Sequence, residues 1–378
     1  MERTGILSRS ILAVAILVAA APAGWAAITV TSNGPMQQIN TAGIPGSYMR
    51  EFSTIWESGN PNAGAIFYVD SASSPYTLYR ASTTDGGLTW TAGQPAGLAR
   101  PAGVASQNQQ NPVIRDFNRD GNLTGFFGSV QGVSSGLPGY PNTLHYRAVS
   151  TATPGNIGPT WSGETLISYN SGAFPGQTGL NGFIEVFETS SGTLRGYLAG
   201  NRTVNLTSTT HLVESTDGGL TWQDMGLIQI PGPGTAFNTV GANGPVFWFT
   251  DDADGQRKMG WFCYGEGSNN RGVAFLISTD EGLSWTKQAS IFNLVDATIR
   301  SGDANFISDD TVRLFYYRNT GSVPSDRQLW YQDFTLTGMS GIVANNLTLG
   351  AAPIPAPGAI ALAAIGLGLV GLLRRRTD

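Results

Sequence analysis

Cysteine and histidine are scarce in this chain. With one cysteine and two histidines among 378 residues, an intramolecular disulfide is excluded and a histidine-based metal site is not expected. Charged residues make up 12% of the chain and the formal net charge is −5, so the basic excess typical of nucleic-acid binding is missing. Long helical periodicity is also missing, whereas glycine is abundant, with 50 residues. These features favour one large all-β domain.

The N-terminal residues have the layout of a secretory signal peptide. Arg3 and Arg9 precede an apolar run at residues 11–21, and a stretch ending in small residues follows up to Ala26. We therefore predict export, with residues 1–26 removed as a signal peptide. The alternative is an uncleaved anchor, for which the apolar run is short, because a bilayer span takes about 20 residues.

The C-terminal residues carry a second targeting pattern. A proline-rich stretch at 353–357 precedes an apolar run at 358–373 and three arginines at 374–376. An apolar run before arginines favours a membrane segment with its basic end in the cytoplasm. The layout resembles the PEP-CTERM sorting signal of bacteria, although Ala356 stands where that motif usually has glutamate. The resemblance implies that residues 350–378 direct the protein, through an exosortase-type sorting enzyme, to the cell surface or extracellular matrix.

Three near-identical stretches organise the chain between these ends: TTDGGLTW at 83–90, STDGGLTW at 215–222 and STDEGLSW at 278–285. The aspartate is suited to accept hydrogen bonds from backbone N–H groups just ahead of it, and the glycine to adopt the positive φ of a tight turn. The tryptophan pins the hairpin against a core. The predicted structural residues are Asp85, Trp90, Asp217, Trp222, Asp280 and Trp285. A degraded copy ends at Trp161, so the four tryptophans recur every 61–71 residues, which indicates repeated supersecondary units.

These stretches resemble the Asp box, or BNR repeat, of the sialidase (neuraminidase) superfamily, whose fold is a β-propeller. Residues 27–349 are accordingly predicted to form a single all-β propeller, with the boxes on the rim away from the central site. Five units with apolar runs of strand length can be counted. The family resemblance makes six blades possible. The segments 28–46 and 335–349 either complete a shared blade or form a sixth one, and the sequence leaves this open.

The resemblance also directs attention to polar residues on the inner strands. Sialidases hold the substrate carboxylate with arginines, whose planar guanidinium matches two carboxylate oxygens. Arg50 matches the arginine of the family's Phe-Arg-Ile-Pro motif, and Arg202 is a stand-in for a second arginine. Asn111 ends a run of amides at 106–111, groups that hydrogen-bond sugar hydroxyls. Arg50, Arg202 and Asn111 are therefore the predicted substrate-binding residues.

The candidate catalytic residues are three carboxylates. Asp70 lies near the position of the family's acid/base aspartate, Glu185 near its glutamate, and Asp303 where it has the tyrosine nucleophile. Because the missing tyrosine and glutamate act as one unit, sialidase activity is not expected. A carboxylate pair would still suit ordinary glycoside hydrolysis. The alternative is structural, with Asp303 capping a turn and Arg50 paired with a neighbouring acid.

A possible calcium site is the loop containing Asp116, Asn118 and Asp120. Its alternating oxygen ligands and central Gly121 resemble a calcium loop, but Phe127 at the twelfth position excludes an EF-hand. A plain hairpin turn is the other interpretation.

Together these patterns predict an exported, monomeric, sialidase-like propeller that binds glycans or surface polymers and has lost most of its family's catalytic set. The alternative is an active glycoside hydrolase, exo-sialidase-like or other, that uses the central carboxylates. No cofactor other than the possible calcium is expected. Geometry separates the two functions, because a hydrolase needs two carboxyl groups about 5–9.5 Å apart across a pocket.

Overall fold

The computed structural model describes residues 27–39, 49–71, 76–98, 109–117, 119–130, 143–151, 156–158, 160–162, 164–170, 172–173, 177–202, 208–228, 244–266, 271–320, 327–344 and 348–349. The predicted signal peptide at 1–26, the predicted sorting segment at 350–378 and Asn118 lie outside these residues. Within them, no helix is long and apolar enough to cross a membrane.

The described residues form 24 strands. They are β1 (Thr29–Ser32), β2 (Gln37–Gln38), β3 (Met49–Glu57), β4 (Asn60–Asp70), β5 (Thr77–Thr83), β6 (Gln94–Pro95), β7 (Gln110–Arg115), β8 (Asn122–Val130), β9 (Thr143–Thr151), β10 (Thr165–Leu166), β11 (Ser168–Tyr169), β12 (Gln177–Glu188), β13 (Leu194–Arg202), β14 (Ser208–Ser215), β15 (Thr221–Leu227), β16 (Val246–Asp251), β17 (Arg257–Glu266), β18 (Gly272–Ser278), β19 (Thr286–Asn293), β20 (Thr298–Ser308), β21 (Thr311–Asn319), β22 (Arg327–Thr337), β23 (Met339–Val343) and β24 (Thr348–Leu349).

The strands form five sheets, the blades of a β-propeller. Blade 1 contains β3–β6 and β24, blade 2 contains β7–β10, and blade 3 contains β11–β15. Blade 4 contains β16–β19 and β23, and blade 5 contains β20–β22 with β1 and β2. The predicted all-β propeller is confirmed, and the apolar runs of each sequence unit coincide with the first three strands of one blade.

The count of five units is also confirmed, because the described strands make five sheets and not six. The N-terminal segment completes blade 5: β1 pairs antiparallel with β22, from Thr29 opposite Thr337 to Ser32 opposite Phe334. Of the two arrangements that the sequence allowed, a shared blade or a sixth blade, the structure has the shared blade. Pairing of β1 with β22 closes the ring, whereas residues 339–343 and 348–349 of the segment 335–349 pair with blades 4 and 1, so for those residues the predicted role in the shared blade is wrong.

The first strands of the blades lie side by side around the axis and run in the same direction. Thr54 N donates a hydrogen bond to Asp303 Oδ2 (2.7 Å), and two residues further on Trp56 Nε1 donates to Ala304 O (2.9 Å). On the other side of β3, Ile114 N donates to Ser53 Oγ (3.2 Å). We call the face where β3, β7, β12, β16 and β20 begin the upper face, and the opposite one the lower face.

Large aromatic side chains fill the spaces between blades. Trp56 of blade 1 stacks on Phe315 of blade 5 with ring centroids 5.7 Å apart, and Tyr197 of blade 3 stacks on Trp261 of blade 4 at 4.9 Å. All four rings are buried. Such pairs bury large apolar areas and add about 0.5–1.5 kcal/mol each beyond that burial.

The repeated stretches form turns between the third and fourth strands of blades 1, 3 and 4, on the lower face. In blade 3, Asp217 Oδ1 accepts hydrogen bonds from the backbone N–H groups of Leu220 and Thr221, both at 3.0 Å. Gly218 and Gly219 have φ values of 72° and 89°, a conformation that glycine adopts without strain. Trp222 is 1% exposed and packs in the blade core.

Each box also contacts the preceding blade. A Cβ atom at Gly219 would lie 2.4 Å from the Phe126 ring of blade 2, so the ring sits directly on the turn. In the same way Phe315 of blade 5 packs on Gly87 of blade 1. Arginines add hydrogen bonds to turn carbonyls of the next blade: Arg80 to Ile157, Arg195 to Glu281, and Arg313 to Gly86. The turns therefore join neighbouring blades.

Residues 339–344 and 348–349, here called the C-terminal plug, lie along the first strands of blades 4 and 1 at the lower face. Strand β23 pairs antiparallel with β16, with Met339 opposite Asp251 and Val343 opposite Trp248, so it enters from the lower face. Strand β24 pairs parallel with β3, with Leu349 opposite Glu57, so the chain leaves by the same face. The plug thus connects the inner strands of blades 4 and 1.

Candidate functional site

The middle of the channel contains a cluster of three buried charged residues from three blades. Arg115 ends β7, Glu185 lies in β12 and Asp303 lies in β20. They are 3%, 2% and 1% exposed, respectively. Charged side chains are rarely buried to this extent unless they are paired, and here they pair with one another.

The guanidinium of Arg115 binds both carboxylates. Its Nε and Nη2 donate to Glu185 Oε1 and Oε2 at 3.2 and 2.8 Å, a bidentate pair. Its Nη1 donates to Asp303 Oδ2 at 3.3 Å, to Ser53 Oγ at 2.7 Å and to Ile114 O at 2.8 Å. Ser53 belongs to blade 1, so the cluster joins four of the five inner strands.

Backbone N–H groups complete the cluster. Asp303 Oδ2 accepts from Thr54 N at 2.7 Å, and its Oδ1 accepts from Ala304 N at 3.0 Å. Glu185 Oε1 accepts from Val186 N at 3.1 Å. The oxygens of both carboxylates are thus hydrogen-bonded within the protein.

The cluster carries one positive and two potential negative charges. Burial raises the pKa of Glu185 to about 7, with Asp303 adding to the rise and Arg115 opposing it. Burial also raises the pKa of Asp303, again against the opposing effect of Arg115. Because both shifts favour a neutral acid, one carboxylate readily holds a proton near neutral pH.

Sequence reasoning selected Asp303 and Glu185 but missed Arg115. The arginine that binds Asp303 is Arg115 of blade 2; Arg50 belongs to the upper end of β3, and its side chain is not described. A signal for Arg115 exists in the sequence, since it ends the otherwise apolar stretch Pro112-Val113-Ile114. A lone charge in an apolar inner strand requires a buried partner.

The other predicted site residues lie nearer the upper face. Asp70 ends β4 opposite Met49, five residues along β3 from Thr54, to which Asp303 is bonded. A bulge in β3 lies between these positions, and on β4 Asp70 is four residues from Ile66, the partner of Thr54, so at about 3.3 Å per residue Asp70 lies roughly 13 Å from the cluster along the strand. Arg202 ends β13, also at the upper face, and its side chain is not described. The structure therefore brings Glu185 and Asp303 together and places Asp70 at a different level.

The upper ends of four inner strands are irregular. Toward the upper face the pairing register shifts between Met49 and Phe52 in β3, between Gln110 and Val113 in β7, between Ile299 and Gly302 in β20, and twice between Gln177 and Gly182 in β12; β3 and β20 also shift near their lower ends. β-Bulges re-aim side chains and are common next to functional sites. Because the predicted substrate-binding residues Asn111 and Arg50 belong to these upper ends, and Arg202 to that of β13, the upper face is the candidate binding surface.

Asn111 lies within this irregular region. It is half-buried, and its φ of 47° is uncommon for a non-glycine residue, although asparagine tolerates it better than most. Its side chain lies against Gly182 of blade 3, where a Cβ atom would be 2.5 Å from Asn111 Nδ2. The neighbouring Gln109 has a structural role, because its amide bonds to Leu98 O and Leu78 N.

The loop considered for calcium is a hairpin turn on the lower face. Asp116 Oδ2 accepts a hydrogen bond from Gly121 N at 3.0 Å, and Asp120 Oδ1 accepts one from Asn122 N at 2.8 Å. Asn118 lies outside the described residues. No cluster of three or more histidine, cysteine, aspartate or glutamate residues suited to a metal occurs in the described part of the chain. Calcium binding stays a prediction from sequence.

Comparison with solved structures agrees with the propeller fold. A protein of unknown function from Dyadobacter fermentans has a TM-score of 0.51 and 13% identity, over 81% of this chain and 99% of that one. The β-xylosidase RS223 has a TM-score of 0.50 and 10% identity, over 79% and 94% of the chains. The Hadza microbial sialidase Hz136 scores 0.46 at 14% identity, over 80% and 68%. At these identities the similarity concerns the fold alone. No protein-family profile and no curated protein matches the chain.

Proposed function

We propose that this protein is an exported propeller that binds a glycan or another surface polymer on its upper face without hydrolysing it. The observation that carries the proposal is the engagement of both central carboxylates, Glu185 and Asp303, by Arg115 in a cluster that solvent barely reaches.

Glycoside hydrolysis requires accessible carboxyl groups on both sides of the scissile bond, one as acid and one as base or nucleophile. Glu185 and Asp303 are 2% and 1% exposed and share one guanidinium. A sugar that reached them would have to displace Arg115 and leave buried charges unpaired. Breaking such a pair typically costs about 3–5 kcal/mol, which disfavours this role.

The upper face supports the binding role. Four inner strands change register there, and Asn111 lies among them with an amide that can both donate to and accept from a sugar hydroxyl. Arg50, near the start of β3, and Arg202, at the end of β13, both belong to the upper face and would supply cations for acidic sugars. Polar groups of this kind are the ones that fix a sugar in a ligand site.

Export and surface delivery remain part of the proposal on sequence grounds. They rest on the signal-peptide pattern at 1–26 and on the sorting pattern at 350–378. An exosortase-type enzyme would act on the second pattern.

A glycan array combined with hydrolysis assays on the same sugars tests this function. We expect binding without release of product, and binding weakened by Asn111→Gly, which removes the amide and keeps the positive φ accessible. The matched control is Glu281→Gly, a second residue with positive φ (57°) in the box of blade 4 on the lower face. Hydrolysis that Glu185→Gln and Asp303→Asn both abolish in a folded protein would establish the glycoside hydrolase instead.

A further inference from the structure

Both ends of the described domain lie on the lower face. At the N-terminal end, Thr29 pairs with Thr337 at the lower end of β22. At the C-terminal end, Leu349 pairs with Glu57 at the lower end of β3. Neither end of the described domain therefore lies on the upper face.

The C-terminal exit lies close to the propeller axis. Strand β24 pairs with β3, the first strand of blade 1, and β23 pairs with β16, the first strand of blade 4. The plug is held on both sides by inner strands, so its last residue, Leu349, is fixed near the middle of the lower face.

The distance from this exit to the apolar segment is short. Nine residue steps separate Leu349 from Gly358, where the apolar run begins. A fully extended chain covers at most about 3.3–3.6 Å per residue, so this stretch reaches no more than about 32 Å. Proline-rich chains span only about 3.1 Å per residue, which reduces the reach further.

The reach is small compared with the domain. A compact domain of roughly 320 residues has a radius of gyration of about 20 Å, equivalent to a sphere about 50 Å across. A linker that starts near the axis must cover about 25 Å merely to arrive at the rim. It cannot then climb the side of the domain to the opposite face.

We propose that the C-terminal segment holds the lower face, with its box turns, toward the membrane and presents the upper face outward. This orientation rests on the proposed anchoring through residues 358–376, and it applies to the chain before an exosortase-type enzyme acts on that segment. The upper face would then bind a polymer that lies beyond the cell's own membrane. The lower face would be accessible only to molecules at that membrane.

Cysteine labelling of membranes that carry the full chain tests the orientation. The only native cysteine, Cys263, is fully buried, so it gives little background. Val295→Cys places a thiol at an 85% exposed position in the upper-face loop between β19 and β20. Leu88→Cys and Leu283→Cys place thiols on box turns of the lower face, at positions 38% and 41% exposed.

Each variant is labelled with a maleimide coupled to a large polyethylene glycol. The reference is the same variant in a chain ending at Leu349, which retains every described strand and corrects for intrinsic reactivity. In the membrane-bound full chain we expect the labelling rates at positions 88 and 283 to fall severalfold relative to the reference, and the rate at position 295 to be unchanged.

The outcomes separate this inference from the proposed function. Membrane-bound protein that labels equally on both faces, or more slowly at position 295, would overturn the orientation alone. A full chain that does not sediment with membranes would overturn the anchoring, and the orientation with it. Retained glycan binding in the chain ending at Leu349 would show that the binding function survives either result.

Discussion

Replacing Arg115 by methionine tests whether the central cluster stabilises the ring. Methionine keeps most of the side-chain volume but removes every donor. Glu185 and Asp303 lose their shared guanidinium, and the acceptors Ser53 Oγ and Ile114 O lose bonds of 2.7 and 2.8 Å. Two carboxyl groups then remain buried with only backbone and hydroxyl donors.

The expected cost follows from this burial. Removing one partner of a buried ion pair typically costs about 3–5 kcal/mol, because the remaining charge is left without compensation. Arg115 hydrogen-bonds both carboxyl groups and one of them readily holds a proton near neutral pH, so we expect a cost within that range for the other. At about pH 4 the cost should shrink, because both carboxyl groups can be protonated in the folded state.

Urea unfolding followed by tryptophan fluorescence measures the change in the free energy of unfolding. The matched control is Arg318→Met, which removes an ion pair to Asp296 and a contact with the Trp330 ring; the two side chains of the pair are 17% and 59% exposed. Because solvent reaches the Asp296 carboxylate, this control should cost clearly less than Arg115→Met. Adding Glu185→Gln and Asp303→Asn to Arg115→Met should restore much of the lost stability.

Equal costs for Arg115→Met and Arg318→Met would refute the reasoning. A folded, stable Arg115→Met protein that gains hydrolytic activity would go further, because it would show that the guanidinium masks a working carboxylate pair.

Three further predictions concern stability. The pKa of Glu185 is raised to about 7 in the folded protein, so the folded state keeps a proton that the unfolded chain loses above about pH 4.5. The free energy of unfolding should therefore fall by up to about 3 kcal/mol between pH 4.5 and 7. Urea titrations should show this slope flattened in Glu185→Gln. Asp217→Ala should cost about 1–3 kcal/mol through the N–H groups of the turn, measured by thermal melting, with glycan binding unchanged. Glu281→Gly should melt at or slightly above the parent temperature, because glycine relieves the φ of 57° there; a clear loss would show that its hydrogen bond from Ser190 outweighs this relief.

The blades were predictable because their signals are local. Each first, second and third strand is an apolar run bounded by turn residues, and the box supplies the turn that follows the third strand. Counting these units gave five, the number of sheets that the described strands form, although the sequence left a sixth blade open. The family resemblance to sialidases allowed that sixth blade, which the described strands do not form.

The sequence left ring closure as one of two arrangements and did not predict the plug, because both depend on long-range pairing. Thr29 pairs with Thr337, some 300 residues away, and nothing in the four-residue strand β1 specifies that partner. The five residues of β23, Met339–Val343, contain no apolar run of strand length, yet they pair with the inner edge of β16.

The candidate site was predictable in part. Asp303 and Glu185 follow from aligning the inner strands with the family, and the structure places both on one guanidinium. Their burial was not predictable, because it depends on how deep each residue lies along its strand, and the bulges above them shift that depth. Arg115 could have been found from its position beside apolar residues.

The most direct test of the central claim is a crystal structure of the domain with an oligosaccharide that it binds. The account predicts the sugar on the upper face, above the irregular ends of β3, β7, β12 and β20 and within reach of Asn111, with the bonds between Arg115, Glu185 and Asp303 intact. A sugar bound on the box turns of the lower face, or one that reaches Glu185 and Asp303 with Arg115 displaced, would contradict it.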